Sequence, residues 1–301
     1  MLEPRPYQAE ALDALDKHLS SGVGTAPLVS IPTGGGKSLI IALAIQRWKA
    51  GFPPLRVMVL AHRKELVQQN SAELLGIDPG CDMGIYAAGL RRKDTDNSIV
   101  YASIDSVHNK AGEFPAFDVV IIDEAHRIPL KGEGKYRKFL SELKRWNERL
   151  VIVGLTATPF RMEGPICHKD HILQDLVYEA HVGDLISDGF LCKLRSKRAE
   201  HQPDLSGVRK TGGDYVVKAL SETIDTDATV RDAVCELVKI CDAENRRSVV
   251  VFCIDMEHCK HVSQELRKYG IHAPYVTGKT GSGERDRVAQ DFIEGRTRFL
   301  L

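Results

Sequence analysis

Apolar and polar positions follow two different periods along this chain. Short apolar runs rich in β-branched residues occur at Leu28–Ile31, Arg56–Ala61, Ile99–Ala102, Val119–Asp123 and Val151–Leu155, each bounded by turn or helix-start residues. Several are apolar at successive positions, the pattern of strands buried on both faces, as in a mostly parallel sheet covered by helices. Helical periods lie between them. In Tyr136–Trp146 the residues Tyr136, Phe139, Leu140, Leu143 and Trp146 share one face, while Arg137, Lys138, Lys144 and Arg145 lie elsewhere. That basic side reads as a solvated outer face.

Between residues 195 and 213 the pattern breaks into a polar stretch with Pro203 and three glycines. It then resumes with a helical stripe (Val230, Val234, Leu237, Val238, Cys241), a strand at Ser248–Cys253, a helix at Met256–Tyr269 and a strand at Ala273–Val276. A helix at Ser282–Glu294 and the start of a strand at Arg298–Leu301 come next. The expected layout is an α/β chain with a first domain over 1–194, a linker over 195–213 and a second domain over 214–301.

With 301 residues the chain can form two domains that each bury a core. Its 43% apolar and 27% charged residues are those of an ordinary globular protein. No apolar run reaches the roughly 18 residues of a membrane span, and Met1–Pro6 lacks a secretory layout, so a cytoplasmic protein is expected. Lys and Arg total 41, as do Asp and Glu. That balance argues against a basic nucleic-acid coating protein but leaves room for a local backbone-binding track. The seven cysteines form no C-x-x-C pair, and their odd number suits reduced thiols. Cys167-His168 with His171 lacks a second ligand pair, so no structural metal is expected there.

Two motifs carry chemistry. Pro32-Thr33-Gly34-Gly35-Gly36-Lys37-Ser38 comes after the strand Leu28–Ile31 and precedes an apolar helical stretch. Glycines let the backbone wrap phosphate oxygens, Lys37 offers a charge to the β- and γ-phosphates, and Ser38 offers a hydroxyl to Mg²⁺. Ile31 stands where the general P-loop has a glycine. The second motif, Asp123-Glu124-Ala125-His126, ends the apolar strand at the edge where parallel sheets form ligand crevices. Asp123 there suits the Mg²⁺ shell, and Glu124 the orientation and deprotonation of an attacking water.

Asp-Glu-Ala-His, with the blocks around it, resembles the superfamily 2 helicases and translocases of the DEAH type, whose P-loop also accepts a residue such as Ile31. Arg5-Pro6-Tyr7-Gln8 is similar to the family's adenine-reading block, which implies Arg5 and Gln8 as adenine contacts. Thr33, Gly34, Gly35, Gly36, Lys37 and Ser38 would hold the nucleotide, and His126 would complete the catalytic set of Lys37, Asp123 and Glu124. The blocks Leu60–Leu66 and Ala102–Val107 resemble motifs Ia and Ib, placing His62, Arg63 and Ser103 along a nucleic-acid backbone. Gly154–Arg161 resembles motif III, with Thr156 and Thr158 linking nucleotide to track. Val250–Cys253 resembles motif IV, and Val276-Thr277-Gly278 with Arg285 the next block, implying Thr277 and Gly278 as further nucleic-acid contacts. The nearest resemblance within the superfamily is to RadD-like repair helicases and the motor subunits of type I and III restriction enzymes. The implied fold is two RecA-like parallel-sheet domains in tandem, the second incomplete. The implied ligands are ATP, Mg²⁺ and DNA, with RNA still open.

Glu133-Gly134-Lys135 after Asp123 mimics a nuclease triad, but motif II explains Asp123 better. The family's motifs V and VI do not occur before Leu301, so a chain ending here is expected to bind ATP yet turn it over poorly. A nucleotide-gated module that grips nucleic acid without net motion remains the alternative from a different class.

Overall fold

A computed structural model describes residues 3–301 except 131, 133, 162, 163, 201, 212 and 213. Glu133 of the nuclease-like triplet thus lies outside the described residues. The chain divides into two compact units, Met1–Leu194 and Arg195–Leu301.

Unit 1 is built on β1 (Pro27–Ser30), β2 (Val57–Ala61), β3 (Met83–Ala87), β4 (Arg92–Lys93), β5 (Ile99–Ser103), β6 (Val119–Ile122) and β7 (Val151–Thr156). A small hairpin comes next, β8 (Phe160–Arg161) with β9 (Gly164–Pro165), and then β10 (Asp175–Glu179) returns to the sheet. The eight-stranded order is β10-β1-β7-β6-β2-β5-β3-β4. All neighbours are parallel except β4, which runs antiparallel to β3 at one edge.

Period-two alternation sorts each central strand between two cores. Val57, Val59 and Ala61 of β2 face helices α1 (Pro6–Ser20), α2 (Lys37–Gly51) and α3 (Lys64–Ile77). Met58 and Leu60 face α4 (Ile104–Val107) and α5 (Lys135–Trp146). A short helix, α6 (Val182–Ser187), comes after β10 and buries Leu185. Every position of β1, β2, β5 and β6 is buried, as expected of a parallel sheet covered on both sides. Each Å² of apolar surface that these doubly buried strands remove from water contributes roughly 25 cal/mol to the stability of the unit.

Trp146 departs from the expected apolar face. Tyr136, Phe139, Leu140 and Leu143 are buried, but Trp146 is 65% exposed. It is the last residue of α5, and its ring lies over Gly112 instead of the core, 3.9 Å from where a Cβ on that glycine would sit.

In unit 2, helices α7 (Val217–Ile224), α8 (Asp227–Ala243), α9 (Met256–Lys268) and α10 (Ser282–Ile293) accompany a parallel pair, β13 (Val249–Val250) with β14 (Phe299–Leu300). Their core joins Val230, Val234, Val238, Val262, Leu266, Ala273 and Phe299. The strand expected over Ser248–Cys253 shrinks to two residues, and Phe252 is 92% exposed. Residues 273–276 form no regular strand, although Val276 N–H donates to the Leu301 carbonyl and Leu301 N–H to Pro274. The polar stretch after residue 194 includes β11 (Lys210–Thr211), which pairs with β12 (Asp214–Tyr215). Glu200 N–H donates to the Glu236 carboxylate, so this stretch is anchored on unit 2.

Candidate nucleotide site

The site forms where β1, β7 and β6, three neighbouring strands, end side by side. Ile31, just beyond β1, is fully buried and donates its N–H to the Thr156 carbonyl at 2.8 Å. That side chain constrains the glycine loop. A Cβ on Gly35 would lie 2.6 Å from Ile31 Cγ2, so the Ile31 position and a bare Gly35 belong together. Gly34 and Gly36 have φ of 84° and 78°, the left-handed region that glycine enters without a Cβ penalty. Gly35 N–H donates to the Pro32 carbonyl, and the Gly35 carbonyl accepts from Tyr7 Oη at 2.8 Å and Gln8 Nε2 at 3.1 Å. The loop thus turns directly into α2 at Lys37, and free N–H groups at a helix start attract anions.

Just beyond β6, Asp123 is 3% exposed and its backbone N–H donates to the Leu60 carbonyl. Its Oδ1 accepts from Glu124 N–H at 2.9 Å and its Oδ2 from Asn70 Nδ2 at 2.8 Å. Burial pushes the Asp123 carboxyl above the ordinary carboxylate range, with the Asn70 hydrogen bond pulling the other way. Glu124 has φ of 52°, a left-handed backbone that costs a non-glycine residue roughly 1–3 kcal/mol and marks functional positions. The turn aims its carboxylate at the P-loop. Glu124 Oε1 lies 3.6 Å from Lys37 Nζ, and Oε2 lies 3.2 Å from His126 Nδ1.

His126 Nδ1 is also 2.9 Å from Thr156 Oγ1, and that hydroxyl accepts from Thr158 N–H at 3.1 Å. Burial, ahead of any charge, depresses the His126 pKa and favours a neutral ring at pH 7. A chain of contacts therefore runs from Lys37 through Glu124 and His126 to Thr156 and Thr158, all within unit 1.

The oxygen donors fit Mg²⁺. Such ions in nucleotide sites take one or two protein ligands and otherwise water and phosphate oxygens, so a dense acidic cage is not required. Among the described residues no group of three or more His, Cys, Asp or Glu could hold a metal. The buried Asp123 carboxylate and the Ser38 hydroxyl at the start of α2 are the hard oxygens the sequence supplies. At the Cys167 segment, the thiol is pushed up to about 11 by burial and His168 pairs with Asp170 at 3.4 Å, without a ligand cluster.

The remaining candidates spread outward. Arg5 is exposed, with its guanidinium 5.2 Å above the Phe190 ring. Gln8 is 2% exposed, and both its polar ends are engaged, Oε1 by Arg5 N–H and Nε2 by Gly35. Thr33 is exposed on the loop. Parallel pairing of Ala61 with Ser103 brings His62, Arg63 and Ser103 to one sheet edge. Arg63 is exposed at the start of α3, whereas the buried Ser103 hydroxyl is 2.8 Å from Ser106 Oγ. His62 is half-buried with Nδ1 unpaired, and burial and neighbouring arginines lower its pKa. In unit 2, Thr277 sits in a turn closed by Thr280, its carbonyl accepting from Arg285 Nη2 at 3.0 Å, while Gly278 is exposed.

Sequence reasoning missed Asn70. The signal was a polar residue within the buried stripe Val67, Asn70, Ser71, Leu74 of α3.

Residues 1–161, more than half the chain, match the family described as "Type III restriction enzyme, res subunit". The chain belongs to that family, within the superfamily 2 helicases and translocases. Residues 229–301 match "Helicase conserved C-terminal domain". The protein named as ATP-dependent helicase IRC3 of Saccharomyces cerevisiae is 26% identical over 310 residues, covering 99% of this chain and 44% of that protein. The DNA 3'-5' translocase XPB2 of Sulfurisphaera tokodaii is 22% identical over 339 residues, covering 100% of this chain and 70% of that protein. The chain thus spans less than half the length of its yeast relative. The helicase domain of Pyrococcus furiosus Hef shares the fold, with TM-score 0.56 and 16% identity over 99% of this chain and 85% of that domain. This superfamily 2 assignment agrees with the tandem RecA-like α/β reading of the sequence. Among the described residues no helix is long and apolar enough to cross a membrane.

Proposed function

We propose that this chain is the ATP-binding motor portion of a helicase or translocase that couples ATP hydrolysis to movement on DNA. The observation that carries the reading is Lys37 Nζ 3.6 Å from Glu124 Oε1, joining the P-loop after β1 to motif II after β6. In this reading Lys37 and the N–H groups of the loop bind the β- and γ-phosphates, and Arg5 and Gln8 serve the adenine end. Bound Mg²⁺, held by Ser38 and Asp123, would neutralise phosphate charge. Glu124 orients a water and accepts its proton, and neutral His126 steadies the Glu124 carboxylate through the 3.2 Å contact. Thr156 and Thr158 would relay the occupied state toward the sheet edge carrying His62, Arg63 and Ser103. In unit 2, Thr277 and Gly278 would add backbone contacts.

DNA as the track is supported by the name of the 22% identical archaeal relative, a DNA translocase. The cysteines, all free, support a reducing compartment, in this reading the cytoplasm. The test is steady-state ATP turnover by the full-length protein with no nucleic acid, single-stranded DNA, duplex DNA or RNA. Stimulation by DNA is expected. Stimulation by RNA alone would overturn the DNA reading, and turnover indifferent to all three would overturn the motor reading.

A further inference from the structure

Asn70 is 0% exposed, on the core-facing side of α3, yet only half of its amide is satisfied. Nδ2 donates to Asp123 Oδ2 at 2.8 Å, while Oδ1 is buried without a partner. Flipping the amide would set an oxygen against a carboxylate oxygen, so the donor must face Asp123. A leucine, which branches at the same carbon, would occupy this position without stranding an acceptor, and packing alone therefore does not account for an asparagine.

The partner of that donor is a buried acid. Asp123 is nearly sealed from water, and burial disfavours its charged form. Glu124 N–H holds one oxygen from within motif II, and Asn70 holds the other from a helix 53 residues away in sequence. Together they fix the rotation of the carboxylate plane and favour the ionised form. Outer partners that orient a ligand carboxylate change metal affinity by roughly 10–100-fold when removed.

We propose that Asn70 is a positioning residue of the nucleotide site, holding Asp123 in the orientation that lets it serve Mg²⁺–ATP. The proposal rests on the nucleotide-site reading of Asp123. It extends that site from the two motifs to α3, the helix that begins beside Arg63, so a shift of α3 would be felt at Asp123.

The test is calorimetric ATP binding to the 301-residue chain, once in Mg²⁺ and once in EDTA, reading the ratio of the two affinities. Asn70→Leu should leave the EDTA affinity within about twofold and cut the Mg²⁺ enhancement roughly 10-fold or more. Asn70→Ser, which folds more easily if the leucine is not accommodated, should lower the ratio in the same direction. Thermal melts of each variant confirm that a folded protein is being titrated. An unchanged ratio in both variants, or an equal loss with and without Mg²⁺, overturns the proposal and leaves Asn70 as packing. Asp123→Ala is the control. If the Mg²⁺ enhancement survives in it, Asp123 is not the metal carboxylate, and the underlying reading fails before Asn70 is considered.

Discussion

Replacing Glu124 by glutamine is the sharpest test of how the site divides its labour. The substitution keeps the side chain's length and the left-handed backbone at φ 52°, and removes only the charge. Without nucleotide, that charge lies 3.6 Å from Lys37 Nζ, with the two side chains 11% and 21% exposed for Lys37 and Glu124. Arriving phosphates must compete with it for the lysine. Even at the roughly 0.2–1 kcal/mol of a fully exposed ion pair, a floor for a pair this enclosed, freeing Lys37 should tighten ATP by about 1.4- to fivefold. Loss of a general base slows the chemical step by roughly 10²–10⁴. The expected Glu124→Gln protein therefore binds ATP at least as well as the parent and turns it over at a small fraction of the rate. Calorimetry with Mg²⁺–ATP gives the first quantity, and DNA-stimulated phosphate release by the full-length protein gives the second. Weakened binding with unchanged turnover per bound ATP would refute the reasoning, because it would make Glu124 a binding group.

Lys37→Ala should weaken ATP binding by about 1.5–3 kcal/mol, the worth of a hydrogen bond to a charged group, and equal titration curves would reject its phosphate role. Gly35→Ala forces a Cβ to within 2.6 Å of Ile31 Cγ2 and should cost about 1–3 kcal/mol by denaturant melt. Ile31→Ala in the same chain should return part of that cost, and strict additivity of the two changes would count against the steric coupling. Arg63→Ala should weaken DNA binding similarly across sequences and flatten its salt dependence by about one unit; an effect that varied with base sequence would argue against a phosphate contact. Burial holds the pKa values of His62 and His126 below the usual 6.5. The unfolded chain therefore takes up protons first, and stability present above pH 6.5 should be lost as pH falls through the depressed values. Thermal melts at pH 7.5 and 5.5 check this, and equal midpoints would show that both rings protonate without cost. Asp123, raised by burial, acts in the opposite sense, its contribution present below the ordinary carboxyl pKa and lost as pH rises through the raised value.

The centre of the sheet was legible because its strands are apolar at nearly every position, Ser30 and Ser103 excepted, and the structure buries β1, β2, β5 and β6 throughout, within a residue or so of the expected ends. Three strands of the sheet escaped. β4 is a pair of exposed basic residues, β10 is a short apolar centre between Asp175 and Glu179 whose positions stay exposed or half-buried, and β3 carries Gly84, a residue that weakens a strand signal. In unit 2 the opposite error occurred. The run Ser248–Cys253 promised a buried strand, yet β13 pairs with β14 over two residues and leaves Val250 50% exposed. Hydrophobic pattern reports what a segment could bury, while burial itself needs a facing surface, and that surface is a property of the whole unit.

The same distinction separates the legible half of the candidate site from the illegible half. Gly34, Gly36 and Lys37 are readable because their requirements are local: a left-handed turn of two glycines feeding a helix start is written in consecutive residues. Asp123 and Glu124 are readable for a similar reason, as acids at the end of an apolar strand. The groups that hold these residues in register are not local, and of them Gln8 and Thr156 were named only through the family resemblance and for other contacts. Tyr7 and Gln8 fasten the Gly35 carbonyl from α1, Asn70 fastens Asp123 from α3, and Thr156 reaches His126 from β7. Each is a polar group meeting its partner only after the sheet has assembled. Such groups cost stability when left unpaired in a core, so their presence at buried positions is itself a signal, one that Asn70 gave beside Ser71 in the buried stripe of α3. A buried polar residue on a helix that starts beside a candidate track residue, here Arg63, is where a link between track and nucleotide should be sought first.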